Sequence, residues 1–123
     1  MRTLLSLLAI SALTALACSS PTAPNLCAGS GAAVVITASD DYRFTPDSVT
    51  ITVGQSVCWQ NTGKLHHTVT NVPLGYHFGA DLPSGQTFVY QSAFGGNLPY
   101  QCTIHAGMTG TVIVNCKPGQ SSC

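Results

Sequence analysis

Between Tyr100 and Met108 the sequence reads Tyr-Gln-Cys-Thr-Ile-His-Ala-Gly-Met, which sets a thiol at Cys102, an imidazole at His105 and a thioether at Met108, one every third residue. A thiolate and a thioether are soft, polarisable donors and an imidazole is intermediate. The set therefore suits copper moving between Cu(I) and Cu(II), and suits calcium or magnesium poorly. Zinc fits less well, because structural zinc takes four strong donors and methionine is not among its usual ones. A trigonal site with two histidines, a cysteine and a weak axial methionine needs a second imidazole from elsewhere. The chain offers it upstream, in Leu65-His66-His67-Thr68-Val69.

The elements that must bring these two places together read as strands. Residues 32–38 are apolar and β-branched and end at the turn-forming Ser39-Asp40-Asp41. Tyr42 and Phe44 alternate about Arg43, Pro46-Asp47 interrupts, and residues 49–53 alternate with period two up to Gly54. In the next run Val57, Trp59 and Asn61 share one face while Ser56, Cys58 and Gln60 share the other. Trp59 is expected in the core and Cys58 facing outward. Residues 67–70 form another short strand, with Val69 on the side of His67. The stretch 71–85 contains Pro73, Gly75, Gly79, Pro83 and Gly85 and is expected to be a long irregular connection. Residues 87–91, 98–102 and 110–115 are strand-like, the last two flanking the Cys102–Met108 loop. No segment after residue 17 sustains a 3.6-residue period. The fold class is all-β, a sandwich or barrel of about seven strands.

The chain has 123 residues, 45% of them hydrophobic, enough for one core and too few for two ordinary domains. Four basic residues oppose four acidic ones for a net charge of zero. No Lys or Arg cluster exists to displace counterions from DNA or RNA, so a nucleic-acid partner is not expected. Residues 1–17 read as an export signal: Arg2 supplies the positive start and residues 4–17 the apolar run. Cys18 stands where a lipoprotein signal places its acylated cysteine, although Ala15 occupies the position usually held by Leu. Residues 18–31 then form a tether and N-terminal segment, 32–116 the folded domain and 117–123 a tail. Export to the periplasm or cell surface, with a membrane anchor through a lipid on Cys18, is the expectation.

With Cys18 given to the anchor and Cys102 to the metal, Cys27, Cys58, Cys116 and Cys123 remain of the six cysteines. Four cysteines in an oxidising compartment are expected to form two disulfides, with three connectivities open. At least one bridge should tie the tail back to the body.

From Tyr42 to Val114 the chain resembles the cupredoxins, specifically the small blue copper proteins of plastocyanin and amicyanin type. Three motifs carry the resemblance: Phe44-x-Pro46; Val49-x-Ile51-x-x-Gly54-x-x-Val57-x-Trp59-x-Asn61 followed by His67; and Cys102-x-x-His105-x-x-Met108-x-Gly110. The resemblance implies a two-sheet Greek-key β-sandwich of about seven to eight strands. One copper ion is expected at one end, ligated by His67, Cys102, His105 and Met108. It selects His67 over His66, because the family has His, any residue, then Val, as in His67-Thr68-Val69. The short gap between His105 and Met108 is similar to the amicyanin loop. One departure stands out: the family commonly has Asn after the upstream histidine, where this chain has Thr68 opposite Thr103. A link between them would have to be hydroxyl to hydroxyl.

Three strong ligands and an axial methionine leave no open coordination position, so the implied role is outer-sphere electron transfer between a donor and an acceptor protein, without enzymatic activity. The expected protein is a monomer. His105 should be the edge nearest solvent, framed by an apolar surface of Leu98, Pro99, Ala106, Gly107 and Met108. Copper storage or delivery is the alternative that the ligands alone leave open. An oxidase or nitrite reductase fragment is disfavoured, since there is no His-x-His pair for a trinuclear cluster and no Cys-x-x-x-Cys for a binuclear electron-entry site.

Overall fold

The computed structural model describes residues 23–73 and 75–123, so the expected export signal and Cys18 lie outside the described residues. Among the described residues nine strands follow one another: β1 (Val34–Ser39), β2 (Arg43–Thr45), β3 (Ser48–Thr52), β4 (Ser56–Asn61), β5 (His67–Asn71), β6 (Gly79–Leu82), β7 (Thr87–Gln91), β8 (Gly96–Gln101) and β9 (Thr109–Asn115). They form a four-stranded sheet in the order β2-β1-β4-β7 and a five-stranded sheet in the order β3-β9-β8-β5-β6. Two pairs are parallel, β1 with β4 and β3 with β9, and therefore require crossovers between sheets, as a Greek-key sandwich does.

The alternation read from the sequence is the alternation of the core. Ile36 and Ala38 of β1, Val57 and Trp59 of β4, Val69 of β5, Tyr100 of β8 and Val112 and Val114 of β9 are buried between the sheets. Removing each large apolar side chain from water contributes roughly 1.5–3 kcal/mol. Trp59 sits at the centre, its ring 5.3 Å from that of Tyr100, 5.4 Å from Phe78 and 5.7 Å from Phe88.

Three expectations need correction. The described residues form nine strands rather than seven or eight, and β6 lies inside the stretch expected to be irregular. Its Gly79 and Asp81 hide the strand signal, but pairing with β5, Val69 opposite Ala80, supplies the order that local propensity lacks. Cys58 does face away from the sandwich core, yet it is fully buried. Residues before β1 fold over that outer face: Cys58 is bonded to Cys27, and the Leu26 amide donates to Gln60 Oε1 at 2.7 Å. The other bridge, Cys116–Cys123, ties the tail back only to the end of its own strand.

The turn between β1 and β2 is built unusually. Tyr42 has φ of +60°, a left-handed backbone that costs a residue with a Cβ about 1–2 kcal/mol. Its amide donates to the Ser39 carbonyl at 3.2 Å, and the Ser39 hydroxyl donates to Asp41 Oδ1 at 2.5 Å.

Candidate metal centre

The β8–β9 loop is short enough to be held by its own backbone. The Cys102 amide donates to the Met108 carbonyl at 2.9 Å and the Met108 amide to the His105 carbonyl at 3.3 Å. This folds Cys102, His105 and Met108 toward one point, with Cys102 and Met108 buried and His105 half-buried. Strand β5 runs antiparallel to β8, with Thr70 opposite Gln101, so the start of β5 lies beside the end of β8. That register delivers His67, which is fully buried.

His67 Nδ1 is 3.1 Å from His105 Nδ1, and Cys102 Sγ is 3.5 Å from His105 Nδ1. The three ligand atoms all lie within 4.8 Å of one another. Two nitrogens bound about 2 Å from one ion stand roughly 3 Å apart, so the spacing fits a shared metal. The donor set fits copper: one soft thiolate and two imidazoles converge, and a buried thioether closes the same loop. His66 points elsewhere, with Nε2 3.5 Å from Asp81 Oδ1 and the side chain about half exposed. Adjacent strand residues face opposite ways, and here only His67 faces the loop.

Burial holds the His67 imidazole below its ordinary pKa, and the neighbouring His105 adds to this, while Asp40 opposes it. A neutral imidazole is the form that can ligate a metal. His67 Nε2 is buried without a hydrogen-bond partner; the Ser39 backbone lies near enough to act weakly on the ring but does not reach hydrogen-bonding geometry.

The Thr68–Thr103 link expected from the departure at residue 68 is present. The two hydroxyls are 3.0 Å apart, the Thr103 amide donates to Thr68 Oγ1 at 2.7 Å, and the Thr68 amide donates to Cys102 Sγ at 3.4 Å. Thr68 thus pins the residue after Cys102 and places an N–H on the sulfur. Replacing Thr68 with Val keeps the shape but removes the acceptor. The expected loss is about 1 kcal/mol in denaturant unfolding, with Thr68→Ser close to the original protein; equal stability of the valine variant would contradict this role.

Sequence reasoning missed Asn61 as an organiser of the site, although it lies in the motif that carries the resemblance. Its Nδ2 donates to the carbonyls of Leu65 at 2.7 Å and Leu82 at 2.9 Å, and its Oδ1 accepts the Gly63 amide at 3.0 Å. A buried side chain so fully bonded fixes the approach to His67. The expected apolar frame also changes. Leu98 and Met108 are buried, and the exposed residues near His105 are Ile104, Ala106, Gly107 and Tyr42. Exposure of Ile104 carries no pattern that a sequence could reveal, since a loop has no periodicity.

No family model matches the chain. It is similar to halocyanin of Natronomonas pharaonis, 31% identical over 94 residues that make up 70% of this chain and 58% of halocyanin. The chain therefore spans little more than half the length of that relative. Among solved structures, a purple cupredoxin from Nitrosopumilus maritimus superposes with a TM-score of 0.62 at 23% identity, covering 67% of this chain and 99% of that one. The reduced P94F variant of amicyanin gives a TM-score of 0.63 at 21% identity over 79% of this chain and 97% of amicyanin. A copper-containing nitrite reductase from Thermus scotoductus SA-01 matches over 67% of this chain but 22% of its own length, with a TM-score of 0.59 at 20% identity.

Proposed function

For a chain that has the cupredoxin fold, we propose the function of a mononuclear type 1 copper protein that carries one electron between redox partners, with His67, Cys102, His105 and Met108 as ligands. The observation that carries this reading is the convergence of His67 Nδ1, Cys102 Sγ and His105 Nδ1 within 4.8 Å at one end of a closed sandwich. Bound copper supplies the one-electron couple. The chain holds the donors still. His67 is set in the β5 ladder, Cys102 and Met108 close the loop by a backbone hydrogen bond, and Thr68 grips Thr103. Donors held this way cannot rearrange much between oxidation states, which keeps reorganisation small. The nitrite reductase match covers a fold segment only, and the expectation of a carrier rather than an enzyme rests on the full ligand set of this one site.

His105 is the imidazole that reaches the surface, while His67 is enclosed. Around it stand Ile104 at 54% exposure and Tyr42 at 50%, a small apolar rim suited to brief docking. The net charge is zero. Electron self-exchange is therefore expected to change less than about twofold between low salt and roughly 0.2 M salt; a steep dependence would contradict apolar docking. Partners are a donor and an acceptor protein. Two disulfides accord with an exported protein. Mass analysis of the membrane fraction for an acylated Cys18 tests the anchor.

The deciding experiment is the visible spectrum and voltammogram of copper-loaded protein. An intense thiolate-to-copper band with a reversible one-electron wave is expected. Ready exchange of copper without a reversible wave would replace this reading with storage or delivery.

A further inference from the structure

We propose that Tyr42 is a positioning residue for His105, and that the β1–β2 turn carrying it aligns both imidazoles of the site. The inference rests on the reading of His67 and His105 as ligands and goes beyond it. The Tyr42 ring lies against the His105 imidazole, centroids 4.8 Å apart and planes at 58°, within the range of a favourable aromatic contact. The contact crosses the sandwich, since Tyr42 comes from a turn of the four-stranded sheet and His105 from a loop of the five-stranded one.

Tyr42 is the one non-glycine residue of positive φ among the described residues. A turn that needed only this backbone would be served by Gly or Asn. A bulky ring there, half exposed, gains little from burial. Strained backbone of this kind persists where the surroundings hold it and clusters at functional sites. Here the surroundings are specific. Asp40 Oδ1 accepts the amides of Lys64 at 2.7 Å and Leu65 at 2.9 Å, the segment that leads into His67. The Leu65 amide, with that of Lys64, holds the Asp40 carboxyl below its ordinary pKa. Gly63 leaves room for this clamp, because a Cβ there would run into the Asp40 carboxylate. Four consecutive residues, Ser39 to Tyr42, thus brace the approach to His67 on one side and the ring of His105 on the other. The Tyr42 ring restricts the rotation that would carry His105 Nδ1 away from Cys102 Sγ and His67 Nδ1.

Two ring-free variants, Tyr42→Gly and Tyr42→Asn, tolerate the left-handed backbone, and Tyr42→Phe keeps the ring. In the full chain loaded with Cu(II), loss of the thiolate band to EDTA is expected to be about tenfold faster in the ring-free variants and within about twofold of the original in Tyr42→Phe. In the metal-free protein, the His105 imidazole NMR signals are expected to shift and broaden in the ring-free variants alone, with the thermal midpoint not lowered in Tyr42→Gly. Unchanged copper loss together with unmoved His105 signals would overturn the proposal, as would a Tyr42→Phe variant that behaves like the glycine one. Absence of a thiolate band in the original protein would overturn the copper reading instead, and the metal-free NMR comparison would still decide the role of Tyr42.

Discussion

Cys102→Ser is expected to eliminate the intense visible band of the copper-loaded protein completely, and His67→Ala to do the same, while His66→Ala leaves the band in place. The serine oxygen is nearly isosteric and can still accept the Thr68 amide that now approaches Cys102 Sγ at 3.4 Å, so the variant should fold. A hydroxyl, however, is a hard donor that does not ionise near neutral pH, and it removes the soft thiolate on which both the colour and the preference for copper depend. The two histidine variants separate because of where their rings lie. His67 is fully buried with Nδ1 3.1 Å from His105 Nδ1, whereas the His66 ring turns outward to Asp81. Absorption and electron paramagnetic resonance spectra of the three variants check this. A band that survives His67→Ala but is lost in His66→Ala would reverse the assignment and with it the facing of β5.

The second large effect is on stability. Gly110→Ala is expected to destabilise the protein by about 3 kcal/mol, the upper end of the range for overpacking, and to lower the melting midpoint by about 10 °C or more. A Cβ at Gly110 would overlap the Tyr100 phenol at both Oη and Cζ and would stand 2.9 Å from the Asp47 carbonyl. None of these can yield easily. Tyr100 is 1% exposed and wedged against Phe44 at 4.9 Å and Trp59 at 5.3 Å, and burial pushes its phenol up to about 12. The Asp47 carbonyl accepts the Thr111 amide at 2.8 Å. Denaturant unfolding reads the cost. In a Tyr100→Leu background the same substitution should cost at least 1 kcal/mol less, because the overlapping atoms are gone. A loss below about 0.5 kcal/mol in the original background would show that β9 shifts freely. Tyr100 and Gly110 pair across β8 and β9 at the base of the ligand loop, so the strain should also disturb copper binding.

Much of the fold was legible because the alternation that reports a strand also reports which face is buried. Trp59 was assigned to the core on that ground, and it and Val57 on the same face are fully buried. The same rule gave Cys58 an outward direction, which is right for the sheet and wrong for exposure, since a covering segment is invisible to period two. Strand β6 escaped for a related reason: its partner β5 is what makes it a strand. Leu98 and Met108 were expected at the surface and are core residues, because which side of a loop and of β8 meets the other sheet depends on the packing of two sheets.

The sequence by itself determined the chemistry of the site and the kind of element around it. Donor softness belongs to the side chains of Cys102, His105 and Met108 wherever they sit, and a loop with five residues between Cys102 and Met108 keeps them together without help from the rest of the chain. Tertiary structure alone decided how the partners across from that loop meet it: His67 Nδ1 3.1 Å from His105 Nδ1, the Thr68 hydroxyl on the Thr103 amide, and the Tyr42 ring on the His105 imidazole. Each of these joins residues more than thirty positions apart in sequence. Their distances are fixed by strand register and by the closure of one sheet over the other, which arise from the burial of the whole core and not from any local run of residues.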